Sequence, residues 1–396
     1  MKFVFSGADV FLKEKNEKMS AIVNSDTNGT TVSHDITIAC DKYSVFPGFV
    51  DVHVHFREPG FSYKETIKSG SRSAARGGYT DVCTMPNLNP APDSLENLEL
   101  QLKLIRSDSV INTIPFGTIT KGEEGKELSD MEALAPFVCG FSDDGRGVDD
   151  SSLMREAMLR AKALGKIISA HCEDGSAPKD SPEAEWRQIE RDIKLASEIG
   201  VKYHVCHIST KESVSIIRDA KASGVDITCE TAPHYLLLSE KDLRDDGRFR
   251  MNPPLRAEAD RLALLEGLYD GTIDMIATDH APHSAEEKSH GLKSLNGIVG
   301  LECAFPVLYT ELVRKGEISL EKLIDLMSFN PAERFGITTN GFCLYDLNTP
   351  YTIIPDEFAS MGRSTPFDGM QVFGKCLATV IDGRIAYLDR SIKVNN

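Results

Sequence analysis

Two histidines stand two residues apart at the end of an apolar, β-branched run, FVDVHVHFREPG, Phe49 to Gly60. Side chains alternate across a strand, so His53 and His55 share a face and both can reach one metal ion. A zinc-type ion accepts imidazole nitrogen and carboxylate oxygen readily. Alone, such a pair reads as hydrogen-bonded strand histidines. Here His171 in SAHCED, His207 in HVCHIST and Asp279 in ATDHAPH each close a further apolar run. Together they make a hydrolase-type metal site with an open position for water. Asp144, in FSDDG, offers a bridge to a second ion, while its neighbour Asp143 suits a helix N-cap. Arg57, two residues beyond His55, supplies a bidentate cation for a carboxylate.

Those residues need elements that bring them together. Eight short runs recur from Phe49 to about Pro282: FVDVHVH, TDVCTMPN, NTIPFGTIT, FVCGFSDDG, KIISAHCED, KYHVCHIST, DITCETAPH and DMIATDHAP. Between several of them lie stretches with helical apolar spacing, such as AEWRQIERDIKLASEIG and KESVSIIRDAKASG, most ending in the glycine expected past a helix C-terminus. Strand–helix alternation predicts parallel α/β units, and eight of them predict a closed (β/α)8 barrel of TIM type over residues 47–340. The reactive side chains fall at the C-terminal ends of the runs, where barrel enzymes place their chemistry. Residues 1–46 and 341–396 carry strand-like pieces expected to meet in a small β subdomain. Three other histidines read as structural: His204, three positions before His207 and so expected on the opposite face; His234, at the end of the seventh run; and His280, turned away beside Asp279.

The bulk properties narrow the function. A chain of 396 residues with 41% hydrophobic residues can bury a large core, and a formal charge of −16 disfavours nucleic acid or an anionic membrane as partner. Nine cysteines, scattered singly without a CxxC pair, read as reduced thiols of a cytoplasmic protein. The N-terminal stretch MKFVFSGADVFLKEKNEKM turns charged too soon to read as a signal peptide, and no apolar run approaches about 18 residues.

The ordered set PGFVDVHVHFREPG, YKETIKSGSRSAARGGYTDVCTMPN, FSDDG, AHCED, HVCHISTKES, MNPPLR, ATDHAPH, GIVGLE and NPAERFG, followed by RSTPFDG and VIDGRIAY, resembles the dihydroorotases of the amidohydrolase superfamily, class I type. The likeness runs over nearly the whole chain. It implies a metal-dependent enzyme that interconverts N-carbamoyl-L-aspartate and L-dihydroorotate. It implies zinc, one or two ions, held by His53, His55, His171, His207 and Asp279, with Asp144 bridging. Arg57, Asn87, Asn252 and His283 would bind the substrate. In ring opening a metal-activated hydroxide would attack the cyclic amide, with Asp279 carrying the proton to the leaving nitrogen. A homodimer, and association with aspartate transcarbamoylase, belong to the same expectation.

Three features depart from the family pattern. The segment between AHCED and HVCHIST is short, Ser294-Leu295-Asn296 replaces the usual Ala-Pro-Phe before GIVGLE, and FSDDG offers an aspartate where many relatives use a carbamylated lysine. Two rivals are a sister cyclic amidohydrolase (hydantoinase, dihydropyrimidinase or allantoinase), against which FSDDG, HFREPG and TMPN argue, and a silent scaffold homologue, against which the filled ligand positions argue.

Overall fold

Eight strand positions, each rich in buried β-branched or aromatic residues, follow one another round a closed barrel. They are β5 (Phe49–Val54), β6 (Tyr79–Thr84), the broken third position β7 (Asn112–Pro115) and β8 (Gly117–Thr118), β9 (Gly140–Ser142), β10 (Ile167–Ala170), β11 (Tyr203–Val205), β12 (Ile227–Thr231) and β13 (Met275–Ile276). Every paired neighbour is parallel. The seam closes through a parallel bridge between Val54 and His280, with the His55 amide donating to the His280 carbonyl at 2.8 Å. The structure is a computed structural model and describes residues 2–11, 16–24, 35–39 and 42–392. Cys40 lies outside the described residues, and the other eight cysteines are free thiols.

Local chemistry sets the helix limits. Ser181 caps the helix Pro182–Ile199, which has proline in its first turn and ends on left-handed Gly200. Thr210 caps Lys211–Ala222, and Gly271 ends Glu258–Asp270 in the left-handed conformation. The fourth strand's helix, Ser151–Ala163, is capped by Asp150, so Asp143 is not its N-cap. Asp143 instead accepts the backbone amides of Ile119 and Thr120 at 2.7 and 3.0 Å, tying β8 and β9 together just before Asp144.

One side-chain layer inside the barrel consists of Val50, Val52, Cys83, Met85, Phe116, Cys206, Met275 and Ala277. Val52 belongs to that layer although His53, its neighbour, also reaches the site. The reason is a β-bulge: between Asp51 and Val54 the register of β5 against β6 slips, which turns successive residues inward and strengthens the twist.

A second sheet takes its strands from both ends of the chain. Its order is β18-β17-β14-β4-β1-β2, with β3 paired to β1, where β1 is Lys2–Phe11, β2 Asn16–Asn24, β3 Asp35–Ala39, β4 Ser44–Pro47, β14 Gly341–Asp346, β17 Lys375–Ile381 and β18 Arg384–Leu388. The short hairpin pair β15 (Tyr351–Thr352) and β16 (Gln371–Val372) stands apart from it. Phe46, Phe49, Phe305 and Tyr345 stack where barrel and sheet meet, with centroids 4.4 to 6.3 Å apart. Such aromatic pairs add about 0.5–1.5 kcal/mol each beyond their burial. They hold the first barrel strand firmly at its base, opposite the end that carries the histidines. No helix among the described residues is long and apolar enough to cross a membrane.

Candidate metal centre

At the C-terminal rim of the barrel the side chains converge in two lobes that share Asp144. In one, His53, His55 and Asp279 meet: His55 Nε2 lies 3.1 Å and His53 Nε2 3.7 Å from Asp279 Oδ1. In the other, His171 Nδ1 and His207 Nε2 are 3.0 Å apart. Asp144 Oδ1 is 3.2 Å from His53, 3.7 Å from His207 and 3.8 Å from His171, and Oδ2 is 3.4 Å from His55. An aspartate is therefore long enough to touch all four imidazoles, and the missing lysine leaves no gap.

The donor set suits divalent metal. His53 Nε2 and Asp144 Oδ1 are buried and have no hydrogen-bond partner, although they face one another. Unpaired buried polar atoms are costly, and a cation between them removes the cost. Three of the four imidazoles also spend their far nitrogen on a partner that fixes the ring. His53 Nδ1 donates to Glu230 Oε1 at 2.7 Å, His55 Nδ1 to Asn87 Oδ1 at 2.8 Å and His171 Nε2 to Glu173 Oε2 at 3.1 Å. That tautomer leaves the near nitrogen's lone pair for an ion, the arrangement typical of metal-ligating histidine.

The backbone is bent to achieve this. Arg57, His207 and Asp279 all have positive φ, at 58°, 30° and 46°. Each costs on the order of 1–3 kcal/mol and persists only where the surroundings enforce it. His207 lies past the end of β11, so counting alternate residues from His204 fails. His204 is in fact inside the barrel, with Nε2 3.2 Å from Glu230 Oε2. His234 lies not on β12 but in the short helix Pro233–Leu237, its buried Nε2 unpartnered and its pKa lowered to about 4 by burial. His280 Nδ1 accepts the Gly300 amide at 3.2 Å, and its Nε2 lies 3.5 Å from Glu65, away from the lobes.

All four residues expected to hold substrate line one cavity of about 240 Å³ with His55, Asp144, His171, His207 and Asp279. Arg57 is buried beside it, its Nε donating to the Pro282 carbonyl at 3.3 Å. Asn252 Nδ2 donates to Glu173 at 3.1 Å. His283 Nε2 already donates to the Asn296 carbonyl at 2.7 Å, so it supports the neighbouring loop more directly than it offers a free N–H. Burial, then the positive charges of Arg57 and Lys64, lower its pKa to about 4, so it is neutral at physiological pH.

A family model described as dihydro-orotase-like matches residues 43–185. A dihydroorotase of Fusobacterium nucleatum subsp. nucleatum is 47% identical, with 98% of this chain and 96% of the relative covered. The chain belongs to the dihydroorotase family. A Staphylococcus aureus (strain Mu50) dihydroorotase is 44% identical over 96% of this chain and 95% of its own. An L-hydantoinase (dihydropyrimidinase) from Arthrobacter aurescens shares the fold, with TM-score 0.85 at 24% identity, covering 99% of this chain and 97% of that one. Membership makes the chain a cyclic amide hydrolase of the amidohydrolase superfamily.

The dihydroorotase-family motifs did not point to Glu230. Its Oε1 takes the His53 ring proton and lies 3.3 Å from the His207 amide, while Oε2 takes the His204 proton, so one buried carboxylate braces both lobes. Burial alone would raise its pKa, but His53 and His204 hold it far below the usual range. An acidic residue inside the apolar run DITCETAPH was the available signal. Glu230→Gln is expected to weaken metal retention about 10–100-fold, as loss of such supporting bonds typically does. Equilibrium dialysis against graded chelator measures it, and unchanged retention would show that His53 needs no brace.

Proposed function

We propose that this enzyme catalyses the reversible, zinc-dependent cyclisation of N-carbamoyl-L-aspartate to L-dihydroorotate. One observation carries the reading. A buried guanidinium, Arg57, opens into the same small cavity as the two histidine–carboxylate lobes, so a ligand with a carboxylate at one end and an amide at the other spans both. His53, His55, His171, His207, Asp144 and Asp279 would hold the metal, which supplies a Lewis acid and a water ionisable near neutral pH.

The chain's own residues do the rest. Arg57 pairs with the substrate carboxylate, and Asn87, whose oxygen is committed to His55, keeps its amide hydrogens for the same group. Burial pushes the Asp279 carboxyl up, yet the imidazoles of His55, His53 and His207 around it hold its pKa below the usual value, so it is ionised and ready to take a proton. In ring opening a water oxygen bonds to the amide carbon and the ring C–N bond breaks. Asp279 passes the water's proton to the departing nitrogen, and closure reverses each movement.

The test is hydrolysis of L-dihydroorotate by the purified protein, before and after chelation and zinc restoration, with hydantoin, dihydrouracil and allantoin alongside. Chelator-sensitive turnover of dihydroorotate alone is the expected result, and turnover of another ring would move the assignment to a sister enzyme. Silence on all four with zinc bound would favour a scaffold. Arg57→Ala should raise KM by roughly 30- to 5,000-fold with metal content unchanged, since truncating one member of a buried charge pair costs about 2–5 kcal/mol. An unchanged KM would remove Arg57 from the carboxylate site.

A further inference from the structure

The last strand position gives little backbone support to the residue that follows it. Only Met275–Ile276 pair as β13, and among the described residues the first strand meets this segment through one bridge, Val54 with His280. Asp279 stands just before that bridge, left-handed at φ 46°. A residue other than glycine keeps that conformation only where its surroundings enforce it. The enforcing contacts come from Asp51, buried in β5. Its Oδ2 accepts the Thr278 hydroxyl at 2.6 Å and the Thr278 amide at 3.1 Å. The same Thr278 hydroxyl oxygen accepts the His280 amide at 3.1 Å, so both chain neighbours of Asp279 are tied to one carboxyl group, Thr278 directly and His280 through a hydroxyl. Asp51 Oδ1 accepts the His53 amide at 3.0 Å, within the bulge that turns His53 inward.

We infer that Asp51 is a positioning residue that sets His53 and Asp279 against one another at the metal centre. The inference rests on the reading of that centre given above. A ladder of backbone bonds normally fixes two neighbouring strands, and here the Asp51 side chain bonds across the seam in its place. Two carboxyl oxygens have room for all three donors, which is why one residue holds two amides and a hydroxyl. His53 Nε2 and Asp279 Oδ1 stand 3.7 Å apart. A displacement of about 1 Å at the seam takes one of them away from a shared ion, and a misplacement of that size costs about a hundredfold in rate. Among the described residues the clamp makes no hydrogen bond to Arg57 or Asn87, so it acts on metal and kcat and leaves KM alone.

The test compares Asp51→Ala, Asp51→Asn, Thr278→Val and the double variant Asp51→Ala with Thr278→Val, in zinc retention against graded chelator and in dihydroorotate kinetics with zinc in excess. Asp51→Ala is expected to weaken zinc retention about 10–100-fold and to lower kcat about a hundredfold, with KM within about threefold. Thr278→Val keeps the shape and loses only the hydroxyl, and is expected to move both readouts the same way by a smaller factor. Asp51→Asn keeps an acceptor oxygen for the two amides and is expected to recover most of both losses. The double variant is expected to be no worse than Asp51→Ala, because residues that share one bond do not lose it twice. A lowered Tm with zinc retention and kcat unchanged would make Asp51 a structural residue only and overturn the inference. Additive losses in the double variant would overturn it as well, since the two residues would then act by separate routes. If Asp51→Ala does not fold, Thr278→Val decides, and unchanged retention and kcat in that variant overturn the inference. Zinc retention needs no substrate, so if the unsubstituted enzyme does not turn over dihydroorotate the substrate reading falls while retention still decides the role of Asp51.

Discussion

Alanine at position 55 is expected to cut turnover by at least about a thousandfold and to strip the centre of metal on dialysis. The geometry makes His55 hard to replace. Its Nε2 stands 3.1 Å from Asp279 Oδ1 and 3.4 Å from Asp144 Oδ2, so it joins the carboxylate of the eighth strand to the one shared by both lobes. Without it, two buried carboxylates lose the imidazole that stands between them, and an ion there loses a neutral ligand of fixed tautomer. Metal-assisted activation is worth several kcal/mol, and about 4 kcal/mol is a factor of a thousand. Metal analysis of the dialysed variant, beside the rate, separates this from a general loss of structure. Inactivity with a full complement of metal would remove His55 from the ligand set and leave it as a positioning group.

Asp279→Asn has the second-largest expected effect and a different signature. The substitution preserves shape and one oxygen, so metal should return when zinc is supplied in excess. The proton carrier is gone, and positioned acid–base groups contribute about 10²–10⁴ to the rate. With Arg57 and Asn87 intact, KM should stay within a few-fold while kcat falls by that factor in both directions. A metal-replete Asp279→Asn enzyme retaining more than a tenth of kcat would assign the proton transfer to another group.

The barrel and the side chains that converge at its rim were legible because period-two apolar runs and side-chain chemistry are local properties. The runs marked every strand position, and the strand-end histidines and aspartates converge on two adjoining lobes. What escaped was non-local. Strict alternation treats β5 as regular, but its bulge brings Val52 and His53 to the interior together. The same arithmetic sent His204 outward, because nothing in HVCHIST reveals that His207 lies past the strand at φ 30°. DMIATDHAP looks like its seven counterparts, yet only Met275–Ile276 pairs as strand before the backbone turns toward Asp279. Glu230 was overlooked because its partners, His53 and His204, are far away in sequence.

The barrel seam has a consequence in polymer terms. The first and last strands meet through few backbone contacts, but His55 and Asp279, 224 residues apart in the chain, point at one spot. A cation bound by both is a cross-link that closes a very long loop, the class of clip with the most chain entropy to remove from the unfolded state. By the chain-entropy relation used for disulfides, a loop of this size corresponds to about 5 kcal/mol. The ion that would activate the water would thus also act as the clasp of the barrel.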